Sequence, residues 1–266
     1  MTVSERSDGA RRLQPGLCLR RFPFGESSLV LHVLTPDSGR VALLAKGAHR
    51  PSSGYFAVFD LFDTLELRWS KRASAELGLV TRAALRTRRP ALAGDLERYR
   101  IALGLLELAH LCAREEHEER ALFAWLEGAL DLLQGGRALP GVVAVAADLA
   151  LLRQCGLAPA LSICASCGAR AEERAGRVAF SAALGGRLCR ACAAAERGGK
   201  RVSGSLSLNV LRVAESLMEA TPTMLEHTHI EAGMLGSVRA FVATFLEHHL
   251  ETRLRSRMAD STLRRR

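Results

Sequence analysis

No motif of nucleotide hydrolysis or bond-cleaving catalysis occurs in this chain. A phosphate loop of the G-x-x-x-x-G-K-[ST] kind is missing: Gly198-Gly199-Lys200 runs into Arg201 without the upstream glycine and reads as a basic turn. H-E-x-x-H, G-x-S-x-G and an H-x-E ahead of P-C-x-x-C are missing too, which argues against zinc proteases, serine hydrolases and base deaminases. Acidic residues at 115–119 with His117, and the pair His248 and His249, read as surface or half-packed groups and not as a catalytic cluster. Long apolar runs are also lacking. The longest, Leu139 to Leu152, is broken by Asp148 and fits a core helix instead of a membrane span. Residues 1–16 are polar and charged, so no secretory leader is expected, and seven cysteines then point to a reducing cytoplasm. Cys18, Cys112 and Cys155 are expected to be free and buried. Neither an internal repeat nor a long low-complexity segment is present.

What the chain has in excess is positive charge, and the excess is uneven. The formal net charge of its 266 residues is +9, with a strong bias of Arg over Lys. Residues 1–90 carry +7, residues 91–249 carry −2 and residues 250–266 carry +4. Basic ends around a near-neutral middle suggest a footprint for a polyanion, with nucleic acid the favoured partner and no membrane contact expected.

The first eighty residues read as short strands: Leu17 to Phe24, Ser28 to Thr35, Arg40 to Lys46, Ala57 to Trp69 and Ala75 to Thr81. Turn chemistry separates them at 23–26, at Thr35-Pro36-Asp37-Ser38-Gly39, and between Gly47 and Gly54. Five such strands fit a small barrel of the OB type, and an SH3-like barrel fits the periodicity as well. The texture changes near Thr81, where Arg82, Arg86, Arg88, Arg89 and Pro90 read as a basic linker or helix start. Helical patterns follow from Leu92 to about Arg114, from Glu118 to Leu133 and from Val142 to Gln154, with Gly156 as the residue that ends the third. They resume from Ser205, a candidate N-cap, to Ala220 and from Glu231 to Met258.

Between these two sets of helices lie Cys164, Cys167, Cys189 and Cys192. Two residues between the cysteines of each pair let both thiolates reach one ion, and two pairs complete a tetrahedron. Gly168 is free to take the positive φ of the turn behind the metal. Twenty-one residues separate the pairs, enough for a small β-hairpin. Four thiolates leave no open coordination position, so the expected Zn2+, one per chain, is structural. The whole is an α+β multidomain chain: a barrel over 1–81, an α-helical domain over 82–160 and 196–266, and an inserted four-cysteine zinc ribbon (a zinc finger) over 161–195.

Several segments, taken in order, resemble the RecO family of bacterial recombination-mediator proteins. They are Phe24-Gly25-Glu26-Ser27-Ser28 before an apolar strand, Thr35-Pro36-Asp37-Ser38-Gly39-Arg40 before another that ends Lys46-Gly47-Ala48, and the strand Phe59 to Leu67. Gly156-Leu157-Ala158-Pro159 then leads into Cys164-x-x-Cys167-Gly168, Gly185-Gly186 precedes the second cysteine pair, and Phe245-Leu246-Glu247-His248-His249-Leu250 is followed by Leu254-Arg255-Ser256. The likeness runs from about residue 15 to about residue 258. It implies an N-terminal OB-fold, a helical domain and an inserted zinc ribbon. It also implies binding of single- and double-stranded DNA, annealing of complementary strands, and action with RecR to load RecA onto DNA coated by single-strand binding protein. Such a factor is not an enzyme and works in the cytoplasm at the nucleoid.

The expected DNA surface combines Lys46, Arg50, Arg68, Lys71 and Arg72 on the barrel with Arg82, Arg86, Arg88 and Arg89. Tyr55, in a polar loop beside Arg50, is the candidate for base stacking, while Phe59 and Phe62 are assigned to the core. The resemblance further implies contact with the acidic, apolar C-terminal tail of single-strand binding protein. Arg239, Arg253, Arg255 and Arg257, beside the apolar face Leu235, Val238, Val242 and Phe245 of the last helix, would suit it. Two other classes share part of these features. A zinc-ribbon RNA-binding or ribosome-associated module has the charge and the metal, and a nuclease would require a carboxylate cluster that the sequence does not supply.

Overall fold

The computed structural model describes residues 12–72, 74–170, 176–198 and 203–250. The chain divides into two compact units, residues 1–135 and 136–266.

The first unit is built on a closed barrel. Its strands are β1 (Gln14–Phe24), β2 (Ser28–Thr35), β3 (Gly39–Ala45), β4 (Thr64–Ser70) and β5 (Gly78–Thr87), in the order β1-β2-β3-β5-β4. The long first strand closes it: Gln14 to Leu17 pair antiparallel with β4, and Leu17 to Phe24 pair with β2. Alternation puts Leu29, Leu31 and Val33 of β2 inside, where they meet Cys18, Leu43, Ala45, Leu65, Leu67, Trp69 and Val80. Each such side chain, taken out of water, contributes about 1.5–3 kcal/mol. β3 touches β5 in parallel over only Leu43↔Gly78 and Leu44↔Leu79. A Cβ at Gly78 would lie 2.9 Å from both Leu43 and Trp69, so glycine is what lets β5 enter there. Burial pushes the Cys18 thiol up to about 12, so it is inert.

Two strand expectations change. Ala57 to Phe62 is turn and loop, because Ala57 and Phe62 take φ of 56° and 71°, which no strand accommodates. The segment expected as a basic linker from Arg82 is instead the second half of β5, which continues to Thr87 paired with β4. The barrel therefore ends near 87, and not at 81. Phe59 and Phe62 are buried as expected.

A short 3-10 turn (Pro90–Gly94) leads to α1 (Leu96–Cys112), capped by the Asp95 side chain on the Arg98 N–H at 3.0 Å, and then to α2 (Arg120–Gly135). Both fall in the compact unit that contains the barrel, residues 1–135. Leu96, in the first turn, is 75% exposed, whereas Leu106 and His110 are buried. His110 stacks on His32 of β2 with ring centroids 4.9 Å apart, and His32 Nδ1 lies 2.7 Å from His110 Nε2. Arg40 donates to the His110 carbonyl and pairs with Glu115 at 3.0 Å. The helix thus lies on the outer face of the barrel through one histidine pair and one guanidinium.

The second unit holds α3 (Pro140–Gln154), α5 (Leu208–Glu219), α6 (Pro222–Leu225) and α7 (Ala232–Leu250). α3 is buried on all sides from Val145 to Leu152, Asp148 included, and Gly156 follows with φ 72°. The N-cap of α5 is Ser207, whose hydroxyl accepts from Val210 N, while Ser205 lies in strand β8 (Gly204–Ser207). With β6 (Arg177–Ser181) and β7 (Gly186–Leu188) it forms a sheet ordered β7-β6-β8, and α4 (Arg190–Gly198) follows β7. Phe180 of β6 meets Phe241 and Phe245 of α7 at 4.8 and 6.1 Å. Among the described residues, no helix is long and apolar enough to cross a membrane.

Burial, with Arg20, Arg40 and His32 nearby, holds the His110 pKa down from the usual 6.5 to about 4. The unfolded chain binds more protons than the folded one between those values, so stability falls as pH drops through that window. The urea midpoint, read from Trp69 and Trp125, should hold above pH 7, decline between pH 6.5 and 4, and decline less in His110→Gln. The same decline in both proteins would contradict this role.

Candidate nucleic-acid interface and metal centre

The basic candidates of the first unit separate into three groups. Lys46, Arg50, Arg68, Arg72 and Arg82 are exposed and, among the described residues, form no ion pair. Arg68 of β4 stands directly opposite Arg82 of β5, and Lys46 follows β3, the other neighbour of β5. Like charges opposed across two strands are destabilising, so folding stability does not explain the pair, and a polyanion laid over it relieves the repulsion. Arg50 is steadied by the hairpin tip, its Nε donating to Ser27 Oγ at 3.2 Å.

The second group is already neutralised. Lys71 pairs with Glu116 at 3.2 Å, Arg88 with Asp63 at 3.3 Å, and Arg86 approaches Glu66 at 3.9 Å. Arg89 stands alone in the third. It is 3% exposed, its guanidinium pairs with Asp131 at 2.7 Å, and it donates to the Phe62 carbonyl and Thr64. It clamps the start of β4 to α2 and has no face to offer a phosphate. Tyr55 is half-buried and packs on Phe59 at 5.7 Å. The exposed aromatics are Phe22, Phe24 and Phe56, at 45%, 53% and 54%. Phe22 and Phe24 share the outer face of β1, two residues apart, after a bulge at Cys18–Arg20 resets the alternation. Their signal in the sequence was a pair of phenylalanines continuing a strand beyond its last buried leucine.

In the second unit the four cysteine Sγ atoms lie within 4.8 Å of one another, and Cys167 Sγ is 3.9 Å from Cys189 Sγ. A tetrahedron with metal–sulfur bonds of about 2.3 Å places its sulfurs about 3.8 Å apart, so the set fits a metal ion. Local structure explains the approach. Gly168, at φ 72°, turns the first pair back so that Cys164 N donates to Ala169 O, and the β6–β7 hairpin returns the chain to the second pair. Cys189 precedes α4, where the first-turn N–H groups favour a thiolate, and Cys192 N donates to Cys189 Sγ at 3.4 Å. Burial opposes ionisation of Cys164, but N–H donors from Cys189, Cys167 and Ser166 outweigh it and hold that thiol at about 6. Despite a hydrogen bond from Ser166, Cys189 and Cys167 keep Cys192 up at about 12. One thiolate of the four is thus prepared to meet a cation.

Val238, Val242 and Phe245 of α7 are core, so the apolar face that was to line a docking groove is not on the surface. Arg239 is exposed, and Arg253, Arg255 and Arg257 lie outside the described residues.

The architecture is that of an OB-type barrel protein with added helices and a cluster of four cysteines consistent with a zinc ribbon. Residues 11–88 match the family model "Recombination protein O N terminal", and residues 93–258 match "Recombination protein O C terminal". The DNA repair protein RecO of Anaeromyxobacter sp. (strain K) is 34% identical over 244 residues, which cover 91% of this chain and 92% of that protein. That of Moorella thermoacetica is 29% identical over 245 residues, 91% and 87% of the two chains. That of Cupriavidus pinatubonensis is 37% identical over 170 residues, 64% and 57%. The chain belongs to the RecO family of DNA repair proteins.

Two outcomes check these assignments. Arg89→Ala should lose about 3 kcal/mol of stability in urea, the cost of leaving buried partners without their cation, with no loss of DNA affinity in the folded fraction. Weaker DNA binding at unchanged stability would return Arg89 to the interface. Purified protein should carry about one metal ion per chain by elemental analysis, and Cys164→Ser or Cys189→Ser should lower that content and loosen the second unit. Full metal content in either variant would mean that the ion is held elsewhere.

Proposed function

We propose that this chain is a non-enzymatic DNA-binding recombination mediator that anneals complementary strands. In this reading it acts with RecR to load RecA on DNA coated by single-strand binding protein, at the nucleoid in the cytoplasm. The observation that supports it best is the exposed basic face of the barrel, Lys46, Arg68, Arg72 and Arg82, which no carboxylate of the described residues neutralises. Annealing asks for no bond cleavage. Two strands repel through their phosphates, and a fixed positive surface lowers that repulsion while leaving base edges free to pair. Phe22 and Phe24, exposed on the outer face of β1, supply flat apolar faces for unstacked bases.

The ion of the cysteine cluster is Zn2+ with a structural role, since four thiolates complete its tetrahedron and leave no position for water or substrate. Contact with the tail of single-strand binding protein follows from the family resemblance alone.

The test is electrostatic. Changing Lys46, Arg68, Arg72 and Arg82 together to Ala should weaken single-strand binding for every sequence. It should also reduce the slope of log affinity against log salt by about 3, four contacts at about 0.7 each. Annealing of complementary strands, measured without nucleotide or added divalent metal, should slow with it. An unchanged slope would place the DNA path away from this face.

A further inference from the structure

The four cysteines of the cluster are not equally open to solvent. Cys164 is 2% exposed, Cys189 and Cys192 are half-buried, and Cys167 is exposed. Cys167 sits in a turn whose other residues, Ser166, Gly168, Ala169 and Arg170, are exposed as well, so a small solute can approach it. Cys164, by contrast, is covered, and the Cys189 N–H donates to its Sγ at 3.3 Å. Across the cluster Cys167 Sγ lies 3.9 Å from Cys189 Sγ. A disulfide brings two sulfurs to about 2.05 Å, so a shift of about 2 Å separates this pair from a bond. Backbone bonds hold the two turns together apart from any ion. Ala165 N donates to the Arg187 carbonyl at 2.8 Å, and Arg187 N to the Ala160 carbonyl at 2.9 Å. Ala165 stands two positions before Cys167, and Arg187 two before Cys189. The two sulfurs are therefore kept within reach of each other by the fold itself.

We infer that Cys167 and Cys189 are a peroxide-sensitive dithiol, a site of oxidative modification inside the metal cluster. The inference rests on the metal reading above and is independent of the DNA interface. A thiolate that can hold a cation is also a nucleophile. Cys167 Sγ attacks one oxygen of hydrogen peroxide, the O–O bond breaks and hydroxide leaves, which makes Cys167 a sulfenic acid. Cys189 Sγ then attacks the Cys167 sulfur, a second hydroxide leaves and the S–S bond forms. The two sulfurs together lose two electrons, the peroxide gains them, and two protons from solvent turn both hydroxides into water. Cys164 and Cys192 are left, one from each pair, and two thiolates do not close a tetrahedron. Oxidation thus withdraws half of the ligand set, and a covalent link takes over the tie between the two turns.

The test takes the full chain, with its metal content measured first, and adds hydrogen peroxide in modest molar excess. Released ion is read with a chromophoric chelator, and the cross-link by peptide mapping after the remaining thiols are alkylated. The expected result is release of about one ion per chain, in step with a Cys167–Cys189 disulfide that lowers the mass by about 2 Da. Dithiothreitol followed by Zn2+ should restore both the thiols and the metal content. An ion retained under conditions that fully oxidise free cysteine in the same solution would overturn the inference. So would a cross-link between any other two cysteines, or release with Cys167 carried to the sulfinic acid and no cross-link formed. Protein that holds no ion before treatment would overturn the metal reading, and this inference with it.

Discussion

Closure of the barrel by β1 is the constraint on which the first unit depends. One strand of eleven residues must pair with β4 at its start and with β2 along the rest, and β3 must meet β5 over only two residue pairs. Closure removes free edges and fixes an inside and an outside for every position. The inside is filled by leucine, valine and one tryptophan. The outside is therefore released from packing, and that freedom lets Arg68 and Arg82 stand opposite each other at some cost in stability. A repulsion kept on an otherwise well-packed fold is most simply explained by the ligand that removes it.

The second unit uses a different constraint for a similar end. A ribbon with a three-stranded sheet has little core of its own: Cys164, Leu188 and Ala193 are its buried cluster. Four sulfurs close enough to hold one ion would supply what apolar area does not, as in other small modules that bury too little to fold unaided. Phe180 then ties the sheet to the helices through Phe241 and Phe245.

Much of this was legible in the sequence, and the exceptions have physical causes. The run Leu29, Leu31, Val33 announces β2 because local alternation and burial agree there. The cysteine spacing announces its cluster because metal geometry is short-range. Ala57 to Phe62 looked like a strand because composition does not record a positive φ, and Phe62 takes one to pack edge-on against Tyr99, 5.4 Å away. Arg82 to Thr87 looked like a linker because the outer face of a strand has no apolar pattern to show. Arg89 could not be told from its neighbours Arg86 and Arg88, since what buries it is Asp131, forty-two positions along the chain. A charge count finds a basic region, and only tertiary structure separates the arginines that hold the protein together from those left for a ligand.

That separation is the central claim, and arginine footprinting tests it most directly. The full chain is treated with phenylglyoxal with and without single-stranded DNA, and modification is read residue by residue by mass spectrometry. The account predicts that DNA protects Arg68, Arg72 and Arg82, that Arg86 and Arg88 change little, and that Arg89 is unreactive in either state. Unchanged modification of Arg68 and Arg82, with protection confined to arginines of residues 136–266, would contradict it.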